Sequence, residues 1–94
     1  MVAYVIAIRN HTKDPAEMAA YRTAAQDVPR GVARPLAMYG DYKVLEGPHV
    51  EGVVLLEFPT MAEAKAFYET PAYRKATDHR LKGADYQFII VQGL

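Results

Sequence analysis

Three short runs in this chain are apolar at every position: Tyr4-Val5-Ile6-Ala7-Ile8, Val53-Val54-Leu55-Leu56 and Phe88-Ile89-Ile90-Val91. Side chains along a β-strand point alternately to opposite faces. A strand with one wet face therefore alternates apolar and polar residues, and these runs do not. Continuous runs rich in β-branched residues predict strands covered on both sides.

Between the runs lie helix signals. Asp14-Pro15-Ala16-Glu17 places a capping carboxylate, a proline at the first helical position and an acid that completes a capping box. Met18, Tyr21, Ala25 and Val28 follow at spacings of three and four, and Pro29 and Gly31 close the helix. Thr60-Met61-Ala62-Glu63 is a second capping box. Ala64, Phe67 and Tyr68 form the inner face of the turns that follow. Thr70-Pro71 repeats the start signal, so the helical region breaks there, and a further short helix is predicted from Pro71 to about Leu81. Between Pro35 and Pro48 the pattern is less regular. Leu36 to Tyr39 reads as a strand, Gly40-Asp41 as a turn and Tyr42 to Leu45 as a short extended piece. Glu46-Gly47-Pro48 is a turn. The final strand is predicted from Tyr86 to Gln92.

The resulting order is strand, helix, strand or hairpin, strand, broken helix, strand. This is the βαββαβ order of the ferredoxin-like, α+β arrangement, and residues 1–94 are expected to form one domain. Two helical segments can blanket only one face of its antiparallel sheet. The economical cover for the other face is a second copy of the chain, so a homodimer is expected.

Composition agrees with that expectation and narrows the function. The hydrophobic fraction is 51%, high for a chain of 94 residues. Small domains bury a limited share of their surface, and association enlarges the core. Lys plus Arg equals Asp plus Glu, 11 each, and no basic run appears. Neither nucleic acid nor a membrane surface is expected as a partner. Cysteine is absent, which removes disulfides, thiolate catalysis and sulfur-ligated metals. Met1-Val2-Ala3-Tyr4 runs straight into a strand with no leader pattern, and no apolar run reaches membrane-spanning length, so a cytoplasmic location is expected.

Several of these segments resemble the domain-of-unknown-function 1330 family. They are Tyr4-Val5-Ile6, Asp14-Pro15 with Tyr21, Leu45-Glu46-Gly47, Leu56-Glu57-Phe58-Pro59-Thr60, then Ala64, Tyr68, Thr70-Pro71 and Tyr73, Arg80-Leu81, and Val91-Gln92-Gly93. The resemblance implies the dimeric α+β barrel, in which two ferredoxin-like sheets face each other. Within that wider group stand cofactor-free monooxygenases, isomerases and haem-handling enzymes, together with proteins of no known activity, so the fold does not fix the function. The family brings no established catalytic residues. Three departures fall where a pocket rim would form: a longer Asn10-His11-Thr12-Lys13 connection, Pro35 at the start of the second strand, and an early helix end at Pro29 and Gly31.

Five residues are candidates for a ligand pocket: Tyr21, Glu57, Tyr73, His79 and Arg80. Alternation puts Glu57 on the same strand face as Val53 and Leu55. A carboxylate at the end of a buried strand can have a raised pKa and serve as an acid or base. Its alternative role is a strand-end ion pair. His79 can shuttle a proton near neutral pH. Arg80 can hold a carboxylate in bidentate fashion, or lay its stem on the core and pair with Glu57. Tyr21 and Tyr73 sit on inner helix faces, where a buried hydroxyl must find a partner or a ligand. His11 and His49 lie in connections, without the paired spacing of a metal site. No glycine-rich loop precedes a helix, and the absence of serine rules out a Gly-x-Ser-x-Gly elbow. Neither a metal nor a cofactor is expected.

Two functions fit. One is a homodimeric domain that binds a small organic ligand, with proton transfer next to a carbonyl as its chemistry if it is a cofactor-free enzyme of isomerase or monooxygenase type. The other is a non-catalytic dimeric module whose polar groups only complete the fold. An enclosed cavity with convergent ionisable groups favours the first. A filled core with Glu57 bonded to Arg80 favours the second.

Overall fold

The computed structural model describes residues 1–94. Four strands and three helices alternate along the chain. They are β1 (Ala3–Thr12), α1 (Pro15–Gln26), β2 (Arg34–Met38), β3 (Gly52–Phe58), α2 (Met61–Glu69), α3 (Pro71–Gly83) and β4 (Ala84–Gln92). The strands form one antiparallel sheet in the order β2-β3-β1-β4, the ferredoxin-like arrangement.

The three apolar runs are the three adjacent strands β3, β1 and β4. Their register fixes two faces. Val5 lies between Leu56 and Ile90, and Ala7 between Val54 and Phe88, on the face toward the helices. Ile6 lies between Leu55 and Ile89 on the other face, with Tyr4, Ile8, Val53 and Val91 around it. On the helix side Val5 and Phe58 are almost fully buried, and Ala3, Ala7 and Ala64 complete the core. On the open side Ile89 and Val91 are each 45% exposed. The sheet thus has two apolar faces and helices on one of them.

The helix starts follow their caps. The Asp14 carboxylate accepts from the backbone N–H of Ala16 at 3.0 Å and of Glu17 at 3.4 Å. Thr60 Oγ1 accepts from Glu63 N at 3.1 Å. Thr70 both ends α2 and starts α3: its Oγ1 donates to Phe67 O at 2.9 Å and accepts from Tyr73 N at 3.3 Å. An extended residue between two helices turns the chain, so α3 leaves α2 in a new direction and lies along α1.

α1 and α3 are in close contact where Gly83 faces Met18. A Cβ at Gly83 would stand 2.9 Å from both Met18 Cγ and Sδ, and 3.0 Å from Met18 N. Gly83 O also accepts from Lys13 N and Asp14 N at 2.7 and 3.0 Å, fixing the entry to α1. α1 packs chiefly on α3 and stands off the sheet. That gap positions the site described below.

Some boundaries differ from the sequence reading. β1 runs past its apolar stretch into the Asn10–Lys13 connection, β4 begins before the predicted Tyr86, and the β1–β4 register slips between Arg9 and His11, in that longer connection. β2 begins at Arg34 and carries Pro35 on an edge strand, where a missing N–H is tolerated; the register shifts again between Pro35 and Ala37. The extended piece expected at Tyr42 to Leu45 is not a strand. Residues 39–51 run without helix or strand, tied by the Tyr42 hydroxyl donating to Val50 O at 2.7 Å. No helix is long and apolar enough to cross a membrane.

Candidate functional site

The gap between α1 and the sheet is a cavity of about 650 Å³. This volume lies within the usual range for small-molecule sites. Its floor is the helix-side face of the sheet: Val5, Ala7, Val54, Leu56 and Phe88. One wall is α1, with Tyr21, Arg22, Ala25 and Gln26. Phe67 and Tyr73 close the far side, and Val28, Arg30 and Ala33 form the rim after α1. Met38, Tyr39 and Tyr86 complete it.

Four tyrosines supply most of the polarity, as two hydroxyl pairs. Tyr21 and Tyr73 bring together α1 and α3, with their hydroxyl oxygens 2.9 Å apart and their rings edge to face. Tyr39, just after β2, meets Tyr86 of β4 at 2.6 Å. Burial pushes the Tyr21 phenol far above its ordinary value of 10, with the Tyr73 partner adding to the effect. Tyr39 is raised strongly too, by burial and then by its hydrogen bond to Tyr86. Tyr73 is raised by burial, against the pull of Tyr21 and Arg80. Tyr21, Tyr39 and Tyr73 are therefore neutral hydroxyls at physiological pH.

Tyr39 is held in an uncommon way. Its φ is +53°, a left-handed backbone that a bulky residue rarely adopts. Its ring lies on the bare face of Gly52, where a Cβ would be 2.5 Å from Tyr39 Cδ1. The Arg9 guanidinium stands 5.0 Å from the ring centroid on a neighbouring strand. Arg9 is itself paired with Glu51 at 3.4 Å, and Glu51 accepts the Thr12 hydroxyl, which holds its carboxyl below the ordinary range.

Arg80 lies behind the aromatic wall. It is 2% exposed, and its guanidinium carbon is 5.0 Å from the Tyr86 ring centroid and 4.8 Å from that of Phe88. No carboxylate lies within ion-pair distance of it: the ion pairs are Arg9–Glu51, His11–Glu51, Lys13–Asp85, Arg34–Glu57 and His79–Glu17. Its Nε is buried without an acceptor. Its positive charge acts on both Tyr21 and Tyr73. A buried cation is ordinarily paired, because desolvation of an unpaired charge is costly. The aromatic faces compensate in part.

Of the five residues proposed from sequence, the structure places Tyr21 and Tyr73 on the cavity wall and Arg80 immediately behind it. Glu57 and His79 are elsewhere. Glu57 lies on the open face of the sheet, paired with Tyr4 and Arg34 in the strand register, and its carboxylate is 3.8 Å from Arg34 Nη1. The sheet itself separates it from Arg80, so the expected Glu57–Arg80 pair does not form. His79 points to α1, where its Nδ1 is 2.8 Å from Glu17 Oε2, and it staples the two helices away from the cavity. Neither residue closes the pocket, correcting the arrangement expected from sequence.

Sequence reasoning missed Tyr39, Tyr86, Arg22 and Arg30 as site residues. Tyr86 had a usable signal: by alternation it shares a face with Phe88 and Ile90. The consequence is electrostatic. The lining carries arginines and hydroxyls but no Asp, Glu or His. No cluster of three or more His, Asp or Glu side chains suited to a metal ion is present anywhere in the chain.

The sequence profile of a family described as a domain of unknown function, DUF1330, matches residues 2–94. No curated protein matches the sequence. Solved structures share its fold. A protein of unknown function from Rhodopseudomonas palustris superposes with a TM-score of 0.70 at 21% identity, covering 99% of this chain and 82% of its own. A dimeric ferredoxin-like protein of unknown function from Thermobifida fusca gives 0.66 at 16% identity, covering 99% and 92%. A DABB family protein with a ferredoxin-like fold from Mesorhizobium loti gives 0.70 at 12% identity, covering 99% and 97%. At these identities the likeness is one of fold alone.

Proposed function

The chain belongs to the DUF1330 family of unknown function, and from that premise we propose that it is a homodimeric domain that binds a small, largely apolar organic anion in the cavity between α1 and the sheet. The observation that carries the reading is charge. A cavity of about 650 Å³ is bordered by Arg22, Arg30 and, behind its aromatic wall, Arg80, with no carboxylate among its lining residues. An apolar ligand body fills such a space by excluding water. An anionic oxygen on it meets hydroxyl donors and feels the unpaired charge of Arg80 from behind the aromatic wall.

The homodimer rests on the open face of the sheet. Tyr4, Ile6, Ile8, Val53, Leu55, Ile89 and Val91 form a contiguous apolar surface with no helix over it. Large exposed apolar patches mark interaction sites. A two-fold contact between identical faces covers both at once. The fold relative from Thermobifida fusca, described as dimeric, adds support.

The same geometry bears on catalysis. Proton abstraction by Glu57 or His79 has no place in this cavity, since both lie outside it. What its residues can do is hold negative charge on a ligand oxygen, through preorganised donors in a water-poor site. A cofactor-free reaction here would run by stabilising an oxyanion. A module that only binds and releases its anion uses the same contacts.

Thermal unfolding with benzoate and 1-naphthoate tests the reading. A ligand that binds only the native state raises the melting temperature. The expected result is a concentration-dependent rise that Tyr73→Phe weakens and that Glu57→Ala and His79→Ala leave in place. No rise with any aromatic acid, or loss of the rise in Glu57→Ala alone, overturns it.

A further inference from the structure

The two hydroxyl pairs leave a surplus of protons. A tyrosine hydroxyl has one proton to donate and lone pairs to accept. Within Tyr21–Tyr73 one proton is spent between the two oxygens, and within Tyr39–Tyr86 likewise. One proton in each pair has no acceptor in the protein; the Tyr39–Tyr86 pair is exposed and can give its proton to water, whereas the Tyr21–Tyr73 pair is half-buried. Arg80 adds a guanidinium whose Nε also lacks one. The wall is therefore rich in donors. Its side-chain acceptors are the hydroxyl lone pairs and the Gln26 amide at the rim.

Such a wall treats the two protonation states of a ligand oxygen unequally. A neutral O–H brings another donor to a site already short of acceptors, and it leaves the Arg80 charge uncompensated. The deprotonated oxygen accepts from the spare hydroxyls and neutralises that charge. Hydrogen bonds and opposite charge that favour the ionised form both lower a pKa. A phenol or enol also enters the apolar cavity as a neutral molecule, without the cost of desolvating a charge at entry.

We infer that the cavity takes a phenol or an enol and holds it as its oxyanion, with Tyr21, Tyr73, Tyr39 and Tyr86 as donors and Arg80 as the counter-charge. The inference rests on the small-anion reading above and names the ligand class. The ligand O–H bond breaks, its electron pair stays on the ligand oxygen as phenolate or enolate, and the proton leaves to solvent through the rim. No oxidant or reductant takes part. The charged and titratable groups lining the cavity around the bound oxygen are Tyr21 and Arg22 from α1, Arg30 from the rim, Tyr39 after β2, Tyr73 from α3 and Tyr86 from β4, and Arg80 of α3 acts from behind the Tyr86 and Phe88 rings. Behind them Tyr68 of α2 stands against Tyr73. Arg9 of β1 stands against Tyr39 with its own charge met by Glu51.

The full-length chain titrated with 4-nitrophenol tests this, because the phenolate absorbs in the visible and the phenol does not. Its ionisation midpoint is followed free and at saturating protein. The expected result is a midpoint lowered by about one pH unit or more on binding, a tenfold shift toward the anion. The affinity of 4-nitroanisole, which has no proton to lose, should not vary over the same range. Arg80→Met should move the bound midpoint well back toward the free value. Should that variant fail to fold by circular dichroism, Tyr73→Phe, which removes one donor and keeps the ring, should move it part of the way. Binding of 4-nitrophenol with an unmoved or raised midpoint overturns the inference while binding of benzoate keeps the anion site. A lowered midpoint that persists undiminished in both variants overturns the assignment to these residues. No binding of nitrophenol, nitroanisole or benzoate removes the cavity as a site and the inference with it.

Discussion

The substitution Ile89→Glu is expected to dissociate the dimer while leaving the protomer folded. Ile89 lies on β4, on the open face, opposite Ile6 of β1. It is 45% exposed in the protomer, and so is Val91 two positions on. Burying an Ile or Val side chain completely stabilises by roughly 1.5–3 kcal/mol, so covering the exposed half is worth about 1 kcal/mol. Two such residues on each of two subunits come to about 4 kcal/mol of the association energy. Every tenfold in Kd is about 1.4 kcal/mol, so this pair alone carries a factor of roughly 10³. The substitution removes Ile89's half of that term and adds an unpaired carboxylate at an apolar contact, twice over because the axis repeats it. In the isolated protomer the same carboxylate reaches water, which separates association from folding. Sedimentation velocity at micromolar concentration is the assay, with the urea midpoint as the folding control. A monomeric unsubstituted chain refutes the dimer, and an Ile89→Glu variant that sediments as an unchanged dimer refutes this face as its interface.

Asp14→Ala and Thr60→Ala should each lower stability by about 0.5–2 kcal/mol, because each removes the side-chain acceptor of a helix start; urea midpoints measure it. Gly83→Ala should cost about 1–3 kcal/mol, since its Cβ meets Met18 at 2.9 Å and the Met18 backbone nitrogen cannot yield as a side chain would. Far-UV melting of that variant with and without Met18→Ala tests whether the clash is the cause. Tyr21, Tyr39 and Tyr73 have phenols raised above their ordinary value of 10 in the fold. Their neutral forms stabilise the fold fully below about pH 10, and that contribution is lost as the pH climbs beyond it. Ultraviolet titration should show these tyrosines ionising only together with loss of circular dichroism, and their ionisation near pH 10 in a folded chain would contradict the burial described.

How much of this is legible in the sequence follows from what each pattern encodes. The strands are legible because β3, β1 and β4 each contain an unbroken apolar run, and the helix starts because Asp14, Thr60 and Thr70 are chemical caps. The break at Thr70-Pro71 is legible for the same reason. That very continuity hides the site. Alternation places Glu57 with Val53 and Leu55, yet when both faces are apolar nothing says which of them meets the helices. The helices take the face of Val54, Leu56 and Phe58, and Glu57 is left on the other side from Arg80. His79 is misplaced by the sequence reading because one face of α3 turns to α1 and not to the sheet, a consequence of the turn at Thr70. Tyr39 follows a short edge strand in a stretch without periodicity, so its contact with Tyr86 has no local signal.

The seat of Tyr39 on Gly52 also has an evolutionary consequence. Any β-carbon at position 52 would lie 2.5 Å from the tyrosine ring as it now sits, so the ring would have to swing away from Gly52. The two positions are therefore expected to vary as one unit. A lineage that gains a side chain at 52 must shrink or turn the residue at 39, and with it surrender the hydroxyl that meets Tyr86. Variation within the family should accordingly appear at these positions together, dividing its members into those that keep the second hydroxyl pair and those that have lost it.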